Sequence, residues 1–94
     1  MLTIDLIRQK VTNRHYYLSS HAEDEMVDDL LSRADVENAI LKGRLHKKLT
    51  KDIRGTRYRV IGPAQDHRQL HVLCRILADG NLLIITVYAL REEP

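Results

Sequence analysis

Hydrophobic periodicity in this chain changes once, at Gly43, and that change restricts the fold more than any other feature. Before Gly43, apolar residues recur at helical spacing. Leu2, Leu6, Ile7 and Val11 form one stripe, Ala22, Met26, Val27, Leu30 and Leu31 a second, and Val36, Ala39 and Ile40 a third. After Gly43 the period is two. Tyr58 and Val60 alternate with Arg57, Arg59 and Ile61, and Leu70, Val72, Cys74 and Ile76 alternate with His71, Leu73, Arg75 and Leu77. Helices followed by strands, without βαβ alternation, specify an α+β domain. A length of 94 residues gives one domain, 1–94, with one core.

The local signals set the expected boundaries. A first helix over 3–12 ends at Asn13 and Arg14, and Tyr16, Tyr17 and Leu18 are extended or loop. Ser20 is read as the N-cap of a second helix, boxed by Glu23 and running to about Leu31. Ser32 with Asp35 caps a third helix, and Gly43 occupies its C′ position. Strands are expected over 44–50, 56–62, 70–77 and 82–89. Asp79-Gly80-Asn81 forms the last hairpin turn, and the tail Arg91-Glu92-Glu93-Pro94 is expected to fray. The predicted architecture is two or three N-terminal helices packed on one face of a four-stranded antiparallel sheet, with the other face open.

With no Phe and no Trp, the core must be filled by Leu, Ile and Val. Cys74 is the sole cysteine and lies in an apolar run, so it reads as a buried, inert thiol, and no intrachain disulfide can form. No apolar stretch is long enough for a bilayer and the start lacks a signal-peptide pattern, so the expectation is a cytoplasmic protein with no membrane partner.

Net charge is only +2, but it is unevenly distributed. Residues 1–41 carry four cations against eight anions, whereas residues 42–77 carry ten cations against Asp52 and Asp66 alone. The strand half therefore offers a surface for an anionic partner. No HExxH or HxH spacing, phosphate-cradling glycine loop, GxSxG elbow or Cys–His signature is present, and no metal or cofactor is expected. The remaining residue types suit metal-free RNA cleavage. Histidine supplies a base or an acid, arginine clamps a phosphate, and tyrosine donates or stacks. His21, just inside a helix start where free N–H groups favour an anion, is the first candidate. His71, Arg57, Arg59, Arg75, Thr86 and Tyr88 in the strand half are the others.

Several segments in order resemble the bacterial family named domain of unknown function 4258. They are Ser20-His21-Ala22 with Glu25-Met26 and Asp29, then Asp35-Val36-Glu37-Asn38-Ala39-Ile40 with Gly43, then Arg57-Tyr58-Arg59-Val60-Ile61-Gly62, then Leu70-His71-Val72, and last Ile84-Ile85-Thr86-Val87-Tyr88. That family resembles RelE-like, barnase-related toxins close to the motility quorum-sensing regulator toxins. The resemblance implies a RelE/barnase-like fold and a toxin of a toxin–antitoxin system. Its activity would be mRNA endonuclease cleavage, free or on the ribosome, held in check by a zinc-finger, helix-turn-helix antitoxin. His21, His71 and Tyr88 match the family's residues, and with the residue reading above His21, Arg59, His71, Arg75 and Tyr88 are assigned to catalysis, and Lys48, Arg57 and Thr86 to RNA contact. Many family members carry arginine where this chain has Glu25, and another near Asp28 and Asp29. The alternatives are a non-catalytic RNA- or protein-binding module of the same fold and a homodimer formed through the last strand.

Overall fold

The computed structural model describes residues 2–91, so the tail from Glu92 lies outside the described residues. The elements are α1 (Thr3–Thr12), β1 (Tyr16–Leu18), α2 (Ser20–Asp28), α3 (Arg33–Lys42), β2 (Arg44–Leu49), β3 (Arg57–Pro63), β4 (Gln69–Ile76) and β5 (Leu82–Ala89). The α+β class and the helices-first order hold. The sheet, however, is five-stranded and mixed, in the order β1-β5-β4-β3-β2, with β1 parallel to β5 and the other pairs antiparallel. The expected four-stranded antiparallel sheet lacks β1. Three residues are too few to display an alternation, and β1 is recruited by a strand more than sixty positions away, which no local signal announces.

The helices lie on one face. α3 packs against β3 and β4, α2 against β5, and α1 against α3 and β5. Ile7 and Val11 of α1, Ala22 and Met26 of α2, and Val36, Ala39 and Ile40 of α3 meet Val60, Leu70, Val72, Cys74, Leu82, Ile84 and Val87 in one buried cluster. The β3 and β4 residues are the alternate set read from the sequence, whereas in β5 a register shift moves burial from Ile84 to Val87. Each large aliphatic side chain withdrawn from water contributes about 1.5–3 kcal/mol, so a core without Phe or Trp suffices.

α2 departs from expectation at both ends. Its N-cap is Ser19, whose Oγ accepts from the Ala22 N–H at 3.0 Å while donating to the Ile85 carbonyl at 2.7 Å. Because Ser19 is also tied to Ile84 through its own N–H, the strand pairing fixes where the helix begins, one residue before the sequence-based cap. The helix ends at Asp28, and Leu30 adopts φ 54 with 85% of its surface exposed. Val27 and Leu30 are therefore solvent-facing, outside the core expected for them. Arg68 donates to the Asp29 and Leu30 carbonyls at 2.7 and 3.2 Å and so satisfies the helix end. The Ser32–Asp35 capping box forms as read.

Gly43 is extended (φ −87), so it does not act as a left-handed cap. Its role is close approach. A Cβ there would overlap the carbonyl oxygens of Ala39 and Ile61, and a Cβ on Gly62 would overlap the Ala39 carbonyl and the Gly43 Cα. The two glycines let the end of α3 touch β3 backbone to backbone.

Two substitutions should move stability in opposite directions. Gly62→Ala should destabilise by at least about 2 kcal/mol, because the obstructing atoms are backbone. Leu30→Gly should stabilise by about 0.5–1 kcal/mol, since it relieves a left-handed conformation without removing a buried contact. Urea unfolding of both variants beside the parent checks the pair.

Candidate functional site

The antiparallel register of β2 to β5 arranges the helix-free face in cross-strand rows. One row runs Arg44, Ile61, His71, Tyr88, and the next Lys47, Arg59, Leu73, Thr86. Arg57 and Arg75 follow toward the β2–β3 loop, with Leu83 opposite Arg75. The residues lie on this face because each is one position out of phase with a buried neighbour: Arg59 beside Val60, His71 between Leu70 and Val72, Tyr88 after Val87.

Four side chains from four strands meet here. His71 Nδ1 lies 2.9 Å from the Tyr88 hydroxyl, with the two rings edge to face. His46 stacks on His71 with ring centroids 5.3 Å apart. Arg59 Nε donates to His46 Nδ1 at 3.2 Å. A nitrogen that accepts from a guanidinium must hold its lone pair, so His46 is the neutral tautomer with its proton on Nε2. Burial, then the Arg59 charge, then His46 push the His71 imidazole below the usual histidine range. His71 is thus a neutral base at neutral pH, already paired with a hydroxyl.

His46 is not among the residues the sequence singled out, and its partners Arg59 and His71 are 13 and 25 positions away. β2 carries a bulge between Leu45 and Lys47, which breaks strict alternation. The same bulge turns Lys48 away. Lys48 pairs with Tyr58, which packs toward the core, so the expected RNA contact is at a register position on the opposite side from Arg59 and His71. Thr86 falls in the Arg59 row, half-buried, where a β5 irregularity opposes Leu73.

Arg75 and Arg57 stand apart from the histidine cluster. Arg75 Nη2 donates to Asp52 Oδ2 at 2.9 Å, with the Arg75 and Asp52 side chains only 12% and 11% exposed. Arg57 Nε is 3.4 Å from the same oxygen, and Arg54 Nε is 3.5 Å from Oδ1. The Nε groups of Arg57 and Arg75 are buried without an acceptor, since Arg57 reaches Asp52 at ion-pair distance but outside hydrogen-bond geometry. The Arg54 backbone N–H, followed by the charges of Arg54, Arg75 and Arg57, holds the Asp52 carboxyl below the usual range. Asp52 therefore occupies Arg75 and Arg57 in folding the β2–β3 loop onto the sheet, and the structure leaves Arg59 as the cluster's arginine.

His21 is also elsewhere. It lies on α2 with its side chain 68% exposed, and its Nε2 is 3.3 Å from Glu25 Oε1. That oxygen accepts the Val87 N–H at 3.1 Å, and Asp29 Oδ2 accepts the Ala89 N–H at 2.9 Å. β1 pairs with β5 only through Ile84, so the outer edge of β5 beyond it would be bare. The two α2 carboxylates stand in for the missing strand. Glu25 and Asp29 are thus acceptors for backbone donors, a task a guanidinium cannot perform. An open cleft beside these contacts is lined by Glu25, Asp28, Asp29, Tyr88 and Arg91. The convergence expected around His21 forms around His71.

Cys74 is fully buried and burial pushes its thiol up to about 12, as its apolar setting implied.

Two measurements test this electrostatic layout. Arg59→Gln should raise the His71 pKa toward about 6.5, followed by imidazole NMR. Asp52 has a depressed pKa in the folded state. The stability it contributes is therefore present above the unfolded value of about 3.9 and is lost as pH falls through the folded value. Asp52→Asn should be less stable than the parent near neutrality, and the difference should shrink in thermal scans taken toward strongly acid pH.

No curated protein and no solved structure matches the chain. A family model, described as Domain of unknown function (DUF4258), matches residues 18–89, from the end of β1 to the last residue of β5, and so includes every residue of the His46–Arg59–His71–Tyr88 cluster. The protein belongs to the DUF4258 family.

Proposed function

We propose that the protein is a small RNA endonuclease of the toxin type, RelE-like in descent, that cleaves without a metal by attack of the 2′-hydroxyl on the adjacent phosphate. The observation that carries this reading is the His71–Tyr88 pair beside Arg59 on the open, cationic sheet face. The attacking oxygen must lose a proton, the P–O2′ bond forms, the P–O5′ bond breaks, and the departing oxygen must gain a proton. Neutral His71 takes the first proton. Tyr88 donates to the 5′-oxygen and recovers a proton from His71 Nδ1 across their 2.9 Å hydrogen bond, so both groups end neutral with the imidazole proton moved from Nδ1 to Nε2, and exchange with solvent restores the starting tautomer. Arg59 carries the charge of the phosphorane. The products are a 2′,3′-cyclic phosphate and a 5′-hydroxyl. His21, held by Glu25, takes no part in this scheme.

The reading implies mRNA as substrate, free or on the ribosome, the cytoplasm as its place of action, and a helix-turn-helix, zinc-finger antitoxin as partner. A second reading, RNA binding without cleavage, is favoured by one feature: Asp52 pairs with both Arg57 and Arg75 away from the histidines, leaving one arginine at the cluster. The homodimer through the last strand is disfavoured, because β5 lies inside the sheet and its outer edge is capped by β1 and α2.

Induced expression separates the two main readings. The parent and His21→Ala should both arrest growth and deplete RNA. His71→Ala should lose about 10²-fold or more of the cleavage rate and permit growth. Intact RNA after incubation with the purified parent protein, alone and with ribosomes, would overturn the endonuclease.

A further inference from the structure

Arginines on the open face fall into two groups. Arg57 and Arg75 share Asp52. Arg59 forms no carboxylate ion pair among the described residues, and its one described polar partner is an imidazole nitrogen. A guanidinium that spends Nε on a neutral ring keeps both Nη groups for a ligand, and these form the planar fork that suits two phosphate oxygens. The stacked His46 and His71 rings lie beside it. The groups facing these rings are Arg44 and Lys47 on β2, Arg59 on β3 and Tyr88 on β5, with no carboxylate among them.

We propose that His46, Arg59 and His71 form a binding site for one phosphodiester group of a nucleic-acid backbone, and that occupation of the site is coupled to protonation of His46. The coupling follows from the hydrogen bond. His46 Nδ1 accepts from Arg59, so protonating it removes the acceptor and places two cations side by side. With a phosphodiester between them, Arg59 turns its fork to the ligand and His46 becomes a second donor. Ligand and proton therefore favour each other reciprocally. The inference rests on reading the open face as a nucleic-acid surface, but it does not require cleavage.

A short 2′-O-methyl oligoribonucleotide, which lacks the attacking hydroxyl, is the probe. Calorimetry in buffers of different ionisation enthalpy reads both affinity and proton uptake. Binding to the parent should tighten about tenfold between about pH 8 and about pH 6, with a substantial fraction of one proton taken up near pH 7. His46→Ala, at an exposed position, should weaken binding and remove most of the uptake. Arg59→Lys should keep the charge but lose the coupling, because it has no Nε to release. Lys10→Ala, on α1, should change neither quantity. Binding that is independent of pH, or uptake unchanged in His46→Ala, would overturn the proposal. If the probe binds with the expected uptake while unmodified RNA stays intact, the endonuclease fails and this site stands. If RNA is cleaved but His46→Ala is unaffected in affinity and uptake, the endonuclease stands and this site fails.

Discussion

The registration of β4 against its two neighbours is the constraint on which the rest of the molecule depends. Pairing Val60 with Val72 and Val72 with Val87 puts three apolar side chains under the helices. The same pairing places Ile61, His71 and Tyr88 in one row on the other side. Hydrophobic burial thus determines the chemistry on the far face, because a slip of one residue would expose the valines and bury the histidine together. Core and candidate site are two readings of one register, so selection for packing on the helix side also keeps His71 within reach of Tyr88.

Edges and loops then adjust the sheet for function. β5 has a strand neighbour on its outer side only as far as Ile84, and beyond that Glu25 of α2 and Asp29 just past its end receive its N–H groups. Asp52 binds the basic loop between β2 and β3 back onto Arg75 and Arg57. The acidic N-terminal half is therefore in part an internal counterweight whose carboxylates bind backbone donors. The ten cations of the strand half divide into those that fold the protein and those left for a ligand. Arg59 is in the second group, and its pairing with a neutral imidazole is what gives the open face its character.

Much of this was legible in the sequence, and the misses have physical causes. α1 and β5 fall where the pattern puts them, and β3 and β4 lie within one residue, because their elements are long enough for periodicity to show. The Ser32–Asp35 box was legible because both partners are local. β1 was not, since its partner is remote. The cap of α2 moved from Ser20 to Ser19 because a strand contact outweighed a local one. Lys48 was misplaced by a bulge that composition does not announce. Arg75 had the expected face, but its pairing with Asp52, 23 positions away, was not legible because no local signal joins the two. The tight approach at Gly43 and Gly62 shows the same limit: the glycines are visible in sequence, but the carbonyl that requires them is not.

The central claim is that the working surface is the helix-free face of β2 to β5 and that α2 is not part of it. Amide and imidazole chemical-shift mapping with a short RNA tests this most directly. The account predicts that the largest changes fall at His46, Arg59, His71 and Tyr88, with His21 and its helix unmoved. Changes centred on His21, Glu25 and the start of α2, with the β4 histidine silent, would contradict it.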